Sequence, residues 1–189
     1  MNLKYCTVPT VLTFFRLGFA LTVSPFLLLT YLPLQNYYSN KFLALMIFVL
    51  VITDYLDGYL ARRCNLVTRL GQILDPLADK CLVLGTLLVF VLLKKISLFW
   101  CIVILIREVV VTLLRYCAEK RQQQLKVSGW GKWKATLQYI YLIYTIGTPW
   151  FIGYDVFIEQ ILLYGAVLIT VVSGLLYVKK FYDMQRGKL

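Results

Sequence analysis

The sequence predicts an all-α integral membrane protein of about six transmembrane helices, with both termini in the cytoplasm. Three observations predict it. Hydrophobic residues make up 60% of the 189-residue chain, against roughly 45–50% in soluble globular proteins, and mean hydropathy is +0.75. Apolar runs near the length that a helix needs to cross a bilayer recur along the chain. Positive charge collects in alternate connections between those runs. The whole of 1–189 is expected to form a single membrane domain, with little left over for a soluble one.

Taken in order, a short N-terminus carrying Lys4 leads into a first apolar run over about 8–31. This run is too long for a signal peptide, Arg16 interrupts it, and no small-residue cleavage site follows, so it reads as a retained span. A loop at 34–41 (LQNYYSNK) precedes the second run, 42–60. The third covers about 72–93, the fourth 96–116, the fifth 135–151 and the sixth 157–178. Orientation follows from Lys and Arg. One side would receive Lys4, then Arg62, Arg63 and Arg69. It would also receive Arg115, Lys120, Arg121, Lys126, Lys132 and Lys134, and finally Lys179, Lys180, Arg186 and Lys188. The other side would hold only Lys41, Lys94 and Lys95, against Asp155 and Glu159. The positive-inside rule puts the richer side in the cytoplasm, with Lys94 and Lys95 as a minor dissent.

The net charge of +11 reads as cytoplasmic loop charge and attraction to anionic headgroups. No basic soluble module exists to carry nucleic acid, so a nucleic-acid partner is not expected. The five cysteines form no CxxC and cannot all pair, which argues for free thiols and against a zinc site. The chain contains no histidine, which removes histidine nucleophile and general-base chemistry.

The stretch 53–80, TDYLDGYLARRCNLVTRLGQILDPLADK, holds four of the nine acidic residues: Asp54, Asp57, Asp75 and Asp79. Each pair adjoins a long apolar run, where a carboxylate is costly unless something pairs with it. On a helix Asp54, Asp57, Gly58 and Ala61 share one face, and so do Gly71, Asp75 and Asp79. Two such helices facing each other would gather four carboxylates around one point. The small residues beside them would leave a trough for a bulky group. No single basic residue neutralises four carboxylates; a divalent ion, or a pair of them, does. Oxygen-only ligation favours a hard cation, Mg2+ or Mn2+. Taken singly, each aspartate is equally well a helix cap or a solvated carboxylate. Pro76 either bends the third helix near Gln72 or lies harmlessly in its first turn.

A second constellation is basic. Arg107 lies two helical turns from Arg115, about 12 Å deeper in the membrane at 1.5 Å per residue. Glu108 follows it, and the plainer reading is that Arg107 pairs with an aspartate of a neighbouring helix, or that Glu108 joins a local ion pair. A charge at that depth needs a partner or a wet cavity, and arginine suits forked recognition of phosphate oxygens. Downstream, Gly129 and Gly131 are expected to form a turn, with Lys132 and Lys134 entering the fifth span. Alternatively these lysines are interfacial anchors beside Trp130 and Trp133. Arg107, Arg115, Lys132 and Lys134 together offer a grip for a phosphate-bearing acceptor.

The pattern Asp-x2-Asp-Gly-x2-Ala-Arg-x8-Gly-x3-Asp-x3-Asp is filled at every position by Asp54, Asp57, Gly58, Ala61, Arg62, Gly71, Asp75 and Asp79. It resembles the signature of the CDP-alcohol phosphatidyltransferases. The segment Pro9-x2-Leu12-Thr13-x2-Arg16, Arg107-Glu108, Arg115 and the Gly-x-Gly-Lys-x-Lys-x-Thr stretch resemble the phosphatidylglycerophosphate synthase branch of that family. Thr10 stands where that branch usually has Asn, and Arg16 is also readable as a snorkelling anchor.

The resemblance implies transfer of a phosphatidyl group from CDP-diacylglycerol to glycerol 3-phosphate, releasing CMP. It implies metal on Asp54, Asp57, Asp75 and Asp79, with Asp79 also the general base. CDP would be held by Asp54, Gly58, Ala61, Arg62 and, more weakly, Thr68. The acceptor phosphate would be held by Thr13, Arg107, Arg115, Lys132 and Lys134. Family members are typically homodimers, in contact with membrane lipids. The expected setting is the inner membrane of a bacterium, with the site facing the cytoplasm. Inositol phosphate or phosphatidylglycerol as acceptor, and a cation transporter using the carboxylates as an ion path, are the competing readings. A transporter should spread its acids across several spans near mid-membrane, whereas these cluster at one edge of two.

Overall fold

The computed structural model describes residues 15–63, 69–121, 129–148 and 153–186, and at 57–62, 69–75, 129–130, 132 and 153–155 the backbone alone. Six helical rods follow one another, and no strand occurs among the described residues. They are α1 (Phe15–Leu34), α2 (Tyr37–Arg63), α3 (Arg69–Leu92), α4 (Leu98–Lys120), α5 (Gly129–Gly147) and α6 (Gly153–Gln185). Among the described residues three stretches are long and apolar enough to cross a membrane: Phe15–Leu34, Tyr37–Leu56 and Val156–Gln185. α4 carries Arg107, Glu108 and Arg115 along its length, and such charges lower the hydropathy of a helix.

Two compact units form. The first holds residues 1–95 and 142–152, and within it α1 packs on α2 and α3. Its core includes Leu28, Ile47, Leu87 and Phe90. The second holds residues 96–141 and 153–189, built on α4 against α6, with Ile104, Val111, Ala166 and Tyr177 buried. Many large apolar side chains face outward, among them Phe26, Phe42, Phe157, Leu168 and Leu175. Thr86, Gln138, Thr170 and Ser173 are buried. An outward apolar surface over buried polar groups suits a hydrocarbon solvent, in which backbone and side-chain polar groups must find partners inside the protein.

α1 is not a regular helix. Phe19–Val23 is wound as a π-helix, and the Ser24 N–H donates to the Phe19 carbonyl, one residue further back than in an α-helix. Pro25 follows directly and has no N–H to donate. The buried residues of α1 are Arg16, Ala20, Ser24, Leu28 and Leu32, a strict step of four. In a plain α-helix each step of four advances the stripe by about 40°, so the four steps from Arg16 to Leu32 would swing it about 160° around the rod. The π segment takes up much of that drift. Gly85 of α3 lies where an added Cβ would meet the Ala20 carbonyl at 3.5 Å and Pro25 Cγ at 3.7 Å.

The loop expected at 34–41 is far shorter. α1 closes as a 3-10 turn over Leu32–Leu34, and Gln35 adopts φ 51 as its left-handed cap. The Asn36 side chain then accepts from the Tyr38 N–H at 3.1 Å, which opens α2. Lys41 reaches back one turn to the Tyr37 hydroxyl and sits 4.1 Å from the Tyr37 ring centre. Tyr37 to Lys41 are therefore helical, and their polarity marks a helix end rather than a loop. The third helix likewise starts before the expected boundary, at Arg69. Pro76 then lies in its third turn rather than its first, so the carbonyl of Gln72 loses an intrahelical donor.

α3 ends in a Schellman arrangement: the Lys94 N–H donates to Val91 O at 3.0 Å and the Lys95 N–H to Phe90 O at 2.8 Å. Lys94 takes φ 57 there, a position usually given to glycine. Lys95 Nζ donates to the Thr145 carbonyl at 3.0 Å, in the last turn of α5. A cation at a helix C-terminus is favourable, so this dissenting charge has a local structural partner. Ser97 caps α4 by accepting from the Phe99 N–H at 3.3 Å.

Candidate active site

α2 runs unbroken through Arg63, so Asp54, Asp57, Gly58, Ala61 and Arg62 all lie on helical backbone in its last turns. Gly71, Asp75 and Asp79 lie on the opening turns of α3. The side chains of Asp57, Arg62 and Asp75 fall outside the described residues, as do Thr13 and Thr68 altogether. Asp54 and Asp79 are both half-buried. The Asp54 carboxylate forms an ion pair with the Arg16 guanidinium, whose side chain is 8% exposed. Arg16 therefore does not snorkel to an interface: it is buried and answers a signature aspartate. The sequence separated these two residues by a helix and a half, and no local pattern joined them.

The donor set fits a hard cation. Asp54 already holds a positive group at the end of α2, and the remaining signature donors are carboxylate oxygens on α2 and α3. Among the described residues no group of three or more candidate metal ligands gathers, and two of the four aspartates lie outside that set.

The second unit gathers a buried polar cluster. Glu108 of α4 contacts Lys134 Nζ of α5 and accepts from Arg107 Nη1 at 3.2 Å. The three side chains are 9%, 10% and 11% exposed, so each charge is largely removed from solvent and depends on the others. Glu108 thus joins a local ion pair, with Arg107 and Lys134, and Arg107 makes further contacts. Arg107 Nη2 donates to Ser173 Oγ at 2.8 Å, and Arg115 Nη2 donates to the Tyr177 hydroxyl at 2.8 Å. The Tyr177 ring centre lies 5.9 Å from the Arg107 guanidinium carbon and 5.1 Å from that of Arg115. Below this layer Gln138 donates to Thr170 Oγ1 at 3.3 Å. The Nε atoms of Arg107 and Arg115 are buried without a hydrogen-bond partner among the described residues.

The structure thus brings Arg107, Arg115 and Lys134 together. Lys132 is in the helical opening of α5, with its side chain outside the described residues. Gly129 and Gly131 do not form a turn: α5 begins at Gly129, so both are helical. Sequence reasoning missed α6 as a contributor. The available signal was Thr170, Ser173, Gly174 and Tyr177, small or polar residues on one face of an otherwise apolar span, where such residues serve contacts between helices.

Comparison with known proteins gives a consistent picture. The family model described as CDP-alcohol phosphatidyltransferase matches residues 6–172. A Haemophilus influenzae CDP-diacylglycerol–glycerol-3-phosphate 3-phosphatidyltransferase is 36% identical over 180 residues, covering 91% of each chain. A Rickettsia felis protein of the same name is 34% identical over 175 residues, 91% of this chain and 93% of its own. A Mycoplasma pneumoniae protein of that name reaches 41% identity over 93 residues, 49% of this chain and 41% of its own.

Proposed function

Because the chain belongs to the CDP-alcohol phosphatidyltransferase family, we infer that it transfers a phosphatidyl group from CDP-diacylglycerol to glycerol 3-phosphate. The products are phosphatidylglycerophosphate and CMP. The observation that carries the acceptor choice is the cluster of half-buried Arg107 and Arg115 with buried Lys134 in the second unit. Arg107 and Arg115 each keep a buried Nε without a hydrogen-bond partner among the described residues, which suits them to a second phosphate. An acceptor without a phosphate, such as free serine or inositol, has no need of them.

Asp54, Asp57, Asp75 and Asp79 would hold one or two Mg2+ or Mn2+ ions. When bound, these neutralise charge on the pyrophosphate and on the departing CMP. CDP would be held by Asp54, Gly58, Ala61 and Arg62 and, more weakly, Thr68, the small residues among them suiting a close approach of the nucleotide to the helix. Arg107, Arg115, Lys132 and Lys134, with Thr13, hold the acceptor phosphate away from the reacting hydroxyl. That hydroxyl attacks the phosphorus bearing diacylglycerol, the bond from this phosphorus to CMP breaks, and Asp79 accepts the hydroxyl proton.

The chain is read as one domain with six spans and both termini in the cytoplasm of a bacterium. The site then opens at the cytoplasmic face of the inner membrane, where soluble acceptor and lipid donor both reach it. A homodimer is the expected assembly.

The test is an acceptor panel. Purified protein receives CDP-diacylglycerol and radiolabelled glycerol 3-phosphate or inositol phosphate, and labelled lipid and free CMP are measured. Both form with glycerol 3-phosphate. Labelled lipid from inositol phosphate alone would overturn the acceptor assignment, and ion flux in liposomes without CMP release would overturn the enzyme.

A further inference from the structure

We propose that α6 positions the acceptor-binding arginines: Ser173, Gly174 and Tyr177 hold Arg107 and Arg115 so that their Nε–H groups stay available to an acceptor phosphate. This rests on the reading of those arginines as acceptor ligands. The three α6 residues stand on one helix face and each handles a different part of the pair. The Ser173 hydroxyl donates to the Thr170 carbonyl at 3.0 Å, which commits its proton. Its oxygen is thereby left as an acceptor, and Arg107 Nη2 donates to it at 2.8 Å.

Gly174 supports the stem. A Cβ there would come within 3.0 Å of Arg107 Cγ, so the arm lies directly on bare backbone. Tyr177 supports both heads. Its hydroxyl accepts from Arg115 Nη2, and its ring lies within reach of both guanidinium groups, where the negative face of an aromatic eases two like charges on one helix.

These contacts engage Nη atoms and the aliphatic stem, and none of them engages Nε. Both Nε atoms remain buried without an acceptor among the described residues. A buried donor left unpaired is unfavourable, and two of them on adjacent guanidiniums mark a place that an oxyanion enters and leaves. A guanidinium presents Nε and one Nη as a fork that matches two phosphate oxygens. A positioned pair therefore binds the acceptor with less side-chain ordering than two free arginines would.

The experiment is steady-state kinetics on purified variants, with both substrates varied and the melting temperature measured alongside. Tyr177→Phe keeps the ring and removes the hydroxyl. It raises KM for glycerol 3-phosphate roughly tenfold, the worth of a hydrogen bond to a charged group. KM for CDP-diacylglycerol and kcat do not change. In an Arg115→Ala background the same substitution adds nothing, because the residue it positions is gone. Gly174→Ala favours the helix, yet it pushes on Arg107 and raises the acceptor KM with no fall in melting temperature.

An equal effect of Tyr177→Phe in both backgrounds, a loss of kcat that follows melting temperature, or an unchanged acceptor KM in Gly174→Ala overturns the proposal. If Arg107→Ala and Arg115→Ala leave the acceptor KM unchanged, the acceptor-site reading itself fails, and the positioning role with it. If they raise it and Tyr177→Phe does not, the positioning role alone fails.

Discussion

Glu108→Leu is the most exacting test of the buried cluster. The carboxylate contacts Lys134 and Arg107, and all three side chains are about nine-tenths buried. Removing it leaves two cations facing each other away from solvent, at helix positions that neither can leave without losing its packing. Breaking a buried pair by deleting one partner costs about 3–5 kcal/mol. At roughly 2–4 °C per kcal/mol for a chain of this size, the melting temperature in detergent should fall by about 10 °C.

Glu108→Gln keeps an acceptor oxygen but not the charge, so it should fall between the two. The decisive arm is the double variant Glu108→Gln with Lys134→Met. Removing the ammonium as well should restore part of the lost stability, with a coupling of about 0.5–3 kcal/mol, as for groups in direct contact. Intrinsic fluorescence during a thermal ramp reads all of these. A Glu108→Leu variant that melts with the parent, or single effects that simply add, would refute the idea that these charges stabilise one another.

Other outcomes follow from the remaining elements. Asp57→Asn should abolish CMP release while the protein stays in the membrane fraction; near-normal turnover counts against its metal role. Arg16→Met strips the guanidinium from a half-buried Asp54. It should cost about 1–3 kcal/mol, between an exposed pair and a fully buried one, and an unchanged melting temperature would speak against the pair. Lys94→Gly relieves a left-handed backbone position and should stabilise by about 1 kcal/mol; a lower melting temperature would show that the lysine does more than end α3.

The order of six helices was legible because each apolar run is long and uninterrupted by glycine-proline turns. The aspartate signature was legible as a pattern because all its members fall on two helices consecutive in the chain, so it can be read from spacing without any long-range contact. Helix ends were not. Polar residues at 37–41 and the glycines at 129 and 131 read as loops, yet in a membrane protein helices continue past the apolar stretch, where propensity and a single cap such as Asn36 decide the boundary.

Partners distant in sequence were also invisible. Arg107 finds Ser173 across 66 positions, and Arg16 finds Asp54 across the rest of α1, a turn and more than half of α2. The face of α6 that receives the arginines looked featureless because serine, glycine and tyrosine each have ordinary reasons to be in an apolar span. Only the arginines packed against them give the stripe a meaning.

The π-wound turn near the start of α1 has a consequence for how this chain tolerates length changes. It acts as a phase adjuster, inserting one residue so that Arg16 and Leu28 look the same way despite the three turns between them. A single-residue deletion within Phe19–Val23 would let the rod relax to ordinary winding, and the eleven residues then separating Arg16 from Leu28 would still bring Arg16 within about 20° of its present facing. A one-residue insertion has no such slack: it would turn everything upstream by about 100° and sweep Arg16 off Asp54. This span should therefore absorb the loss of a residue far better than the gain of one, and the gain would be felt at the carboxylate end of α2.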